Sequence, residues 1–327
     1  MLKYIIKRIL LSLLIIFGVS VLIYTLLRCM PADYVETKFT LNPNTELTPE
    51  RIAQMKELYG LNDSIIVGYW KWFVKAIRFD FGYSFKYNQP VTKVIKDNMW
   101  MSFTLTLLSL VIYYPLAIFL GIKAAVKQYG AFDYATTVFT MLGISLPSFF
   151  FSAILIKVFA YDFGWFDTSL GMKTPSLINP TPWEAFWDKA WHLVLPIMTI
   201  VILSLGGLMR RSRTNMLEVL NADYIRTARA KGLSENAVIY KHAFKNTMIP
   251  LVTMLAGLLP GLFGGSMIIE QVFGLEGIGQ KAYAALNEGD IPFVMGYNMF
   301  LAILTVLGIF LADIMYMVVD PRVKITK

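Results

Sequence analysis

The chain has 327 residues, of which 56% are apolar and 16% charged, and its formal net charge is +8. Length alone would allow two soluble domains, but the charges cluster and leave apolar runs of about 20 residues, enough to cross a bilayer at ~1.5 Å rise per residue. That excludes a pair of soluble domains and predicts an all-α, polytopic membrane protein.

Six spans are predicted, at about 9–27, 99–122, 134–156, 193–209, 247–269 and 291–319. The first follows Lys3, Lys7 and Arg8, like the basic start of a signal peptide. Its 19 residues are long for such a segment, and no small-x-small cleavage site follows, so it reads as a span. Cys29 is the sole cysteine and can form neither an internal disulfide nor a cysteine-based metal cluster. Residues 1–28 are the expected N-terminal helix, 29–98 an extracytoplasmic helical segment, and 99–327 a five-helix core.

Within 29–98, Thr48-Pro49-Glu50 is a helix start, with Ile52, Met55 and Tyr59 at helical spacing and Gly60 as the stop. A second amphipathic helix is predicted over 64–79, with Ile66, Tyr69, Trp70, Phe73 and Ile77 on one face. That face fits either a membrane interface or the small core of an outer cap. The 157–192 segment, rich in tryptophan and proline, reads as an interfacial loop or a docking contact.

The positive charge is unevenly distributed. Residues 210–245 carry eight Lys/Arg against three acids, whereas 270–290 carry Lys281 against four acids. Positive-inside weighting places both termini, 123–133 and 210–245 in the cytoplasm, and 28–98, 157–192 and 270–290 outside. The basic charge is therefore topological, and no nucleic-acid partner is expected.

Motifs for chemistry are missing. There is no Gly-x-x-x-x-Gly-Lys-Ser/Thr and no His-Glu-x-x-His, and His192 and His242 fall on opposite sides of the predicted membrane. No catalytic residue, cofactor or metal is expected. Gly264-Gly265-Ser266 lacks a base for a nucleophile. With Gly257 and Gly261, these residues read as close packing or a narrow solute path. Only Asp313 is expected to be ionisable within the spans, which argues against a self-powered carrier.

The segment 217–245 repeats Leu217, Leu220, Tyr224 and Ala228 at helical spacing, stops at Gly232, and restarts at Ser234 with Ala237, Ile239, Tyr240 and Phe244. A helix–glycine–helix hairpin with an apolar stripe needs something to cover it.

Asp223-Tyr224-Ile225-Arg226-Thr227-Ala228-Arg229-Ala230-Lys231-Gly232, followed by His242-Ala243-Phe244-Lys245-Asn246, resembles the EAA-type coupling loop of ABC importer permeases in its peptide-importer branch. Arg226 and Thr227 stand where the general pattern has Glu and Ala, and Glu276 stands where the family has proline before Gly-Leu-Gly. The resemblance extends through Asp80-Phe81-Gly82-Tyr83-Ser84, Ile144-Ser145-Leu146-Pro147-Ser148 and Asp320-Pro321-Arg322. It fits the first of two permeases, the one with the long outer segment. It implies a transport subunit rather than an enzyme, in a bacterial or archaeal cell membrane. The implied partners are a second related permease, two ATPase subunits, an extracytoplasmic solute-binding protein and membrane lipid, with a peptide as substrate. It implies coupling through Leu220, Asp223, Tyr224, Arg226, Thr227, Ala228, Gly232, His242 and Asn246. Phe273, Glu276, Gly277 and Gly279 are expected at the outer mouth, facing the binding protein. Nickel chelates, glutathione or another small solute remain open as cargo, as does a stand-alone carrier or exporter.

Overall fold

The computed structural model describes residues 2–30, 61–168 and 171–319, with positions 35, 53, 54, 56 and 57 between the first two stretches. The predicted helix start at Thr48-Pro49-Glu50, its face residues Ile52, Met55 and Tyr59, its stop at Gly60 and the closing Asp320-Pro321-Arg322 lie outside the described residues, while positions 53, 54, 56 and 57 are helical.

Among the described residues the chain is helical, and the one β contact is an isolated antiparallel bridge between Tyr83 and Pro90. The helices are α1 (Leu2–Arg28), α2 (Ile65–Ala76), α3 (Val91–Val126), α4 (Ala131–Ser145), α5 (Ser148–Leu155, continued by a π-turn over Ile156–Asp162) and α6 (Pro182–Leu220). Then come α7 (Asp223–Ala230), α8 (Glu235–Ala237, running through a π-turn over Val238–Ala243), α9 (Phe244–Gly257), α10 (Leu259–Gly264), α11 (Met267–Phe273), α12 (Ile278–Asn287) and α13 (Ile291–Val319). Four of these, α1, α3, α6 and α13, are long and apolar enough to cross a membrane, and the number rises to six if two bent pairs each count as one span.

The bends correct the sequence reading. The predicted third span turns by 105° between α4 and the α5 segment. Pro147 forces Leu146 out of the helical region, to φ −83°, ψ 127°, and itself opens α5. The 15 residues of α4 rise only about 22 Å, short of a ~30 Å hydrocarbon core. The predicted fifth span bends by 43° near Leu258, where Pro260 in the first turn of α10 removes a backbone donor. The fourth span is longer than expected. α6 has 39 residues and begins at a capping box, in which Thr181 accepts from the Glu184 N–H and the Glu184 carboxylate accepts from Thr181 N. Residues 182–192, read as loop, are therefore its first turns.

α3 and α6 form the most extensive pairing. Gly121 permits it, since a Cβ there would sit 2.6 Å from the Met209 carbonyl oxygen. α1 runs antiparallel to α13. Arg8 pairs with Asp313, which gives that intramembrane acid its partner. At the other end of α1, Tyr24 and Leu27 join a cluster containing Tyr69, Phe293 and Ile291.

α2 corrects the predicted face by one position. Tyr69 is buried, with its ring against Phe17 and Tyr24 and its hydroxyl 2.9 Å from Ser20 Oγ, and Trp72 packs beside it. Ile66, Trp70 and Ile77 point away and are exposed.

Candidate coupling segment and the opposite pole

α7 follows α6 after a two-residue turn at Asn221 and Ala222. Its inner face is Ile225 and Ala228, buried against Met216, Val238 and Ala243. Gly232 closes it at φ +77°. Its N–H donates to the Arg229 carbonyl at 2.9 Å, and the Leu233 N–H donates to the Ala228 carbonyl at 3.4 Å, which completes a Schellman motif. No atom lies within 4 Å of where a Gly232 Cβ would be, so glycine is needed there for its backbone and not for space.

The exposed face of α7 consists of Asp223, Tyr224, Arg226 and Thr227. Asp223 and Arg226 pair at 3.7 Å while staying open to solvent. Arg229 donates twice to Glu235, at 3.1 and 2.6 Å, across the Gly232 joint, and that carboxylate holds the guanidinium firmly protonated. The predicted stripe is corrected here. Tyr224 is about half exposed, while Ile225, which sequence reasoning passed over, is fully buried. Its signal was a β-branched aliphatic three residues before Ala228. On the second helix the buried positions are Val238, Ile239 and Ala243, and Tyr240 is exposed. The π-turn accounts for the shifted face. Ser234 occupies the N-cap position but its side chain caps no N–H.

Asn246 reaches one turn back along its own helix to the His242 backbone and across the hairpin to Tyr224. Asn246 Nδ2 donates to the His242 carbonyl at 2.9 Å. The Asn246 side chain also bonds the Tyr224 hydroxyl, whose pKa burial raises. Leu220, in the last turn of α6, packs half-buried against the same cluster. Nearby, Arg213 grips the buried Asp133 with two bonds, at 2.6 and 2.7 Å, and Asp133 also accepts from the Tyr129 N–H. This brings the 127–133 turn and the foot of α6 to one pole, as the charge reading expected.

At the opposite pole the acids behave differently. Glu270 in α11 and Asp290 before α13 have no exposed surface. Glu270 accepts from Ser102 Oγ at 2.7 Å, Ser266 N at 3.0 Å and Gln280 N at 2.9 Å, and Ser102 Oγ accepts in turn from Ile278 N at 2.9 Å. Asp290 accepts from Ser84 Oγ and from Lys86 N and Phe293 N, which docks the 80–90 turn onto the start of α13. Burial raises the Asp290 pKa above the usual carboxylate range, and these hydrogen bonds oppose that rise.

Glycines shape the Glu270 cradle. A Cβ at Gly277 would lie 2.4 Å from Glu270 Oε2, one at Gly279 2.9 Å from the same oxygen, and one at Gly265 2.6 Å from Oε1. Three expectations change as a result. Gly265 and Ser266 surround a carboxylate, while Gly264 is buried against Leu301 and its carbonyl accepts from the Tyr297 hydroxyl at 2.6 Å. Gly257 and Gly261 alone of that set are exposed. Phe273, Gly277 and Gly279 are buried within the chain, so Glu276 is the exposed member of the predicted mouth. Asp313 is also not the only acid in the spans, since Glu270 lies in the second arm of the bent pair. Its signal was an acid set among Ile268, Ile269, Val272 and Phe273, an apolar setting for a carboxylate.

Among the described residues four helices, or six if each bent pair is one span, are long and apolar enough to cross a membrane, and with an exposed short helix at one pole they define a multi-pass membrane protein. Residues 117–325 match the family described as binding-protein-dependent transport system inner membrane component, and residues 1–106 match the model for the N-terminal part of such membrane components. The chain belongs to this family, whose members are transport permeases and not catalytic enzymes. It is 36% identical to the oligopeptide transport system permease protein AppB of Bacillus subtilis, over 99% of this chain and all of that one. It is 33% identical to a putative peptide transport system permease protein of Brucella abortus, over 98% of both chains. It is 31% identical to the dipeptide transport system permease protein DppB of Bacillus subtilis, over all of this chain and 99% of that one.

Proposed function

We propose that the chain is one permease subunit of an ATP-driven importer of oligopeptides or dipeptides. It forms half of the translocation path beside a second, related permease. Two separate ATPase subunits hydrolyse ATP, and a solute-binding protein delivers the peptide from outside. Both termini and the α7 pole face the cytoplasm of a bacterial or archaeal cell, and the 270–290 pole is the outer mouth. Residues 1–28, 29–98 and 99–327 act as anchor helix, outer segment and path-forming core.

The observation that carries this reading is the geometry of α7. Its inner side chains, Ile225 and Ala228, are locked into the bundle, and its outer side chains, Asp223, Tyr224, Arg226 and Thr227, are free to meet another protein. A helix held this way moves with α6 and the hairpin, so a push on its outer face passes into the spans. The names of full-length relatives support a peptide as cargo. Gly257 and Gly261, exposed on α9 and α10, fit a path wall.

The test is to purify the chain with its neighbouring subunits and measure ATP-dependent peptide uptake in proteoliposomes. Co-purifying ATPase and uptake that needs both ATP and binding protein are the expected results. Uptake by this chain alone, or none with the whole set, contradicts the reading.

A further inference from the structure

Beside the Glu270 cradle lies an open cleft of about 710 Å³. One wall is α3, with Trp100 and Thr104; the other is Met172, Lys173 and Lys189; Gly274 and Glu276 form the third side. That volume falls within the ~300–1,000 Å³ typical of small-ligand sites.

The cleft is built from sides that are bonded to one another. Gly171 N donates to the Phe273 carbonyl at 2.9 Å, fastening the 171–173 turn to the end of α11. Leu275 N donates to the Glu270 carbonyl at 2.8 Å, and the Glu270 carboxylate is held by Ser102 of α3 at 2.7 Å. The three sides are therefore fixed before any ligand arrives, which lowers the ordering cost of binding.

Lys173 and Lys189 both line this cleft and both are exposed. Thr174, next to Lys173, donates its N–H to Asp188 Oδ2 at 3.1 Å and its hydroxyl to Asp188 Oδ1 at 2.6 Å, and Asp188 precedes Lys189. Asp188 is occupied by these bonds and by His192, at 3.5 Å. Among the described residues Lys173, Lys189 and Glu276 have no ion-pair or hydrogen-bond partner, whereas Lys86 and Lys157 at the same pole are each paired with an acid. Two exposed ammonium groups lining one cleft favour an anionic ligand there. Glu276 supplies a single negative charge on the other side.

We propose that this cleft holds a short peptide with free ends: its terminal carboxylate against Lys173 and Lys189, its terminal ammonium against Glu276, and its side chains along Trp100 and Met172. This rests on the peptide-importer reading and adds a residue-level recognition site on the permease itself.

The test uses the complete reconstituted complex, with the binding protein saturated by each probe. The probes are an uncharged-side-chain tripeptide, its C-amidated form and its N-acetylated form. Lys173→Gln with Lys189→Gln is expected to lower uptake of the free tripeptide roughly tenfold, the scale of a charge-assisted hydrogen bond. Uptake of the amidated form should change by less than about twofold, because it has no carboxylate to lose. Glu276→Gln is expected to give the mirror result, affecting the free tripeptide but sparing the acetylated form. Equal losses for free and capped probes, with weaker association of the binding protein, would assign these charges to protein docking and overturn the proposal. Uptake at the wild-type rate from all variants overturns it as well. A wild-type complex that moves neither the tripeptide nor any dipeptide or longer peptide removes both this proposal and the function it rests on, whereas peptide uptake blind to these charges removes this proposal alone.

Discussion

Gly232 in the α7 hairpin and Gly277 at the opposite pole both interrupt short helices, and the chain needs glycine at each for a different reason. Gly232 sits at φ +77° in open space, so only its backbone matters. Gly277 sits at an ordinary φ of −90°, with Glu270 and Ser102 atoms 2.4–2.5 Å from where a Cβ would be. The charges divide in the same way. Within the α7 hairpin they remain at the surface, as with Asp223 and Arg226, or bridge the joint, as with Arg229 and Glu235. At the other pole Glu270 and Asp290 are enclosed by N–H and hydroxyl donors. The α7 hairpin therefore keeps charge on its surface, where a partner can meet it, while the Glu270 cradle uses its buried acid to hold its own elements in register.

Substitutions test this contrast, and the largest effect is expected at the Glu270 cradle. Gly277→Ala drives a methyl group into a carboxylate that several donors already fix, so the 274–280 turn must leave α3. A loss of roughly 4 kcal/mol or more, through overpacking and orphaned donors, should appear as low membrane abundance and early thermal unfolding in detergent. A normal melting profile would show that the cradle is looser than described. Next is Arg213→Ala, which strands the buried Asp133 and should cost about 3 kcal/mol, the low end for a broken buried pair because Arg213 is partly exposed. Adding Asp133→Asn should recover part of that loss. At the α7 pole Gly232→Ala should cost only about 1 kcal/mol, since the strain is conformational and no atom is displaced. The smallest effect is expected for Arg229→Ala, at most about 0.5 kcal/mol for an exposed pair. A larger shift there would mean that the bridge across Gly232 carries more of the hairpin than its exposure suggests.

Much of this organisation is legible in the sequence. The hydropathy of α1, α3, α6 and α13 is unmistakable, and the stop at Gly232 follows from one glycine after a periodic helix. The bends are harder to see because a hydropathy window cannot register a change of direction. The available cues were Pro147, whose ring pushes Leu146 into extended geometry, and Pro260. The Glu270 cradle was invisible for a different reason. Ser102 and Gly277 lie 168 and seven positions away, and no local pattern shows that a serine hydroxyl in one helix will meet a carboxylate in another. Acid content suggested an exposed surface at 270–290, yet hydrogen bonding buried two of its four acids. The face of the second hairpin helix was misread because a π-turn shifts the period that the pattern assumes.

In the proposed importer α7 and its glycine joint transmit force between the spans and an ATPase. Gly232→Val tests it most directly, because the joint has open space around it and the bundle does not depend on it for packing. In proteoliposomes holding the full complex, ATP hydrolysis and peptide uptake are measured together. Normal membrane abundance is expected, with uptake lost and hydrolysis either uncoupled from transport or reduced through weakened ATPase association. Uptake at the wild-type rate per ATP hydrolysed would contradict it.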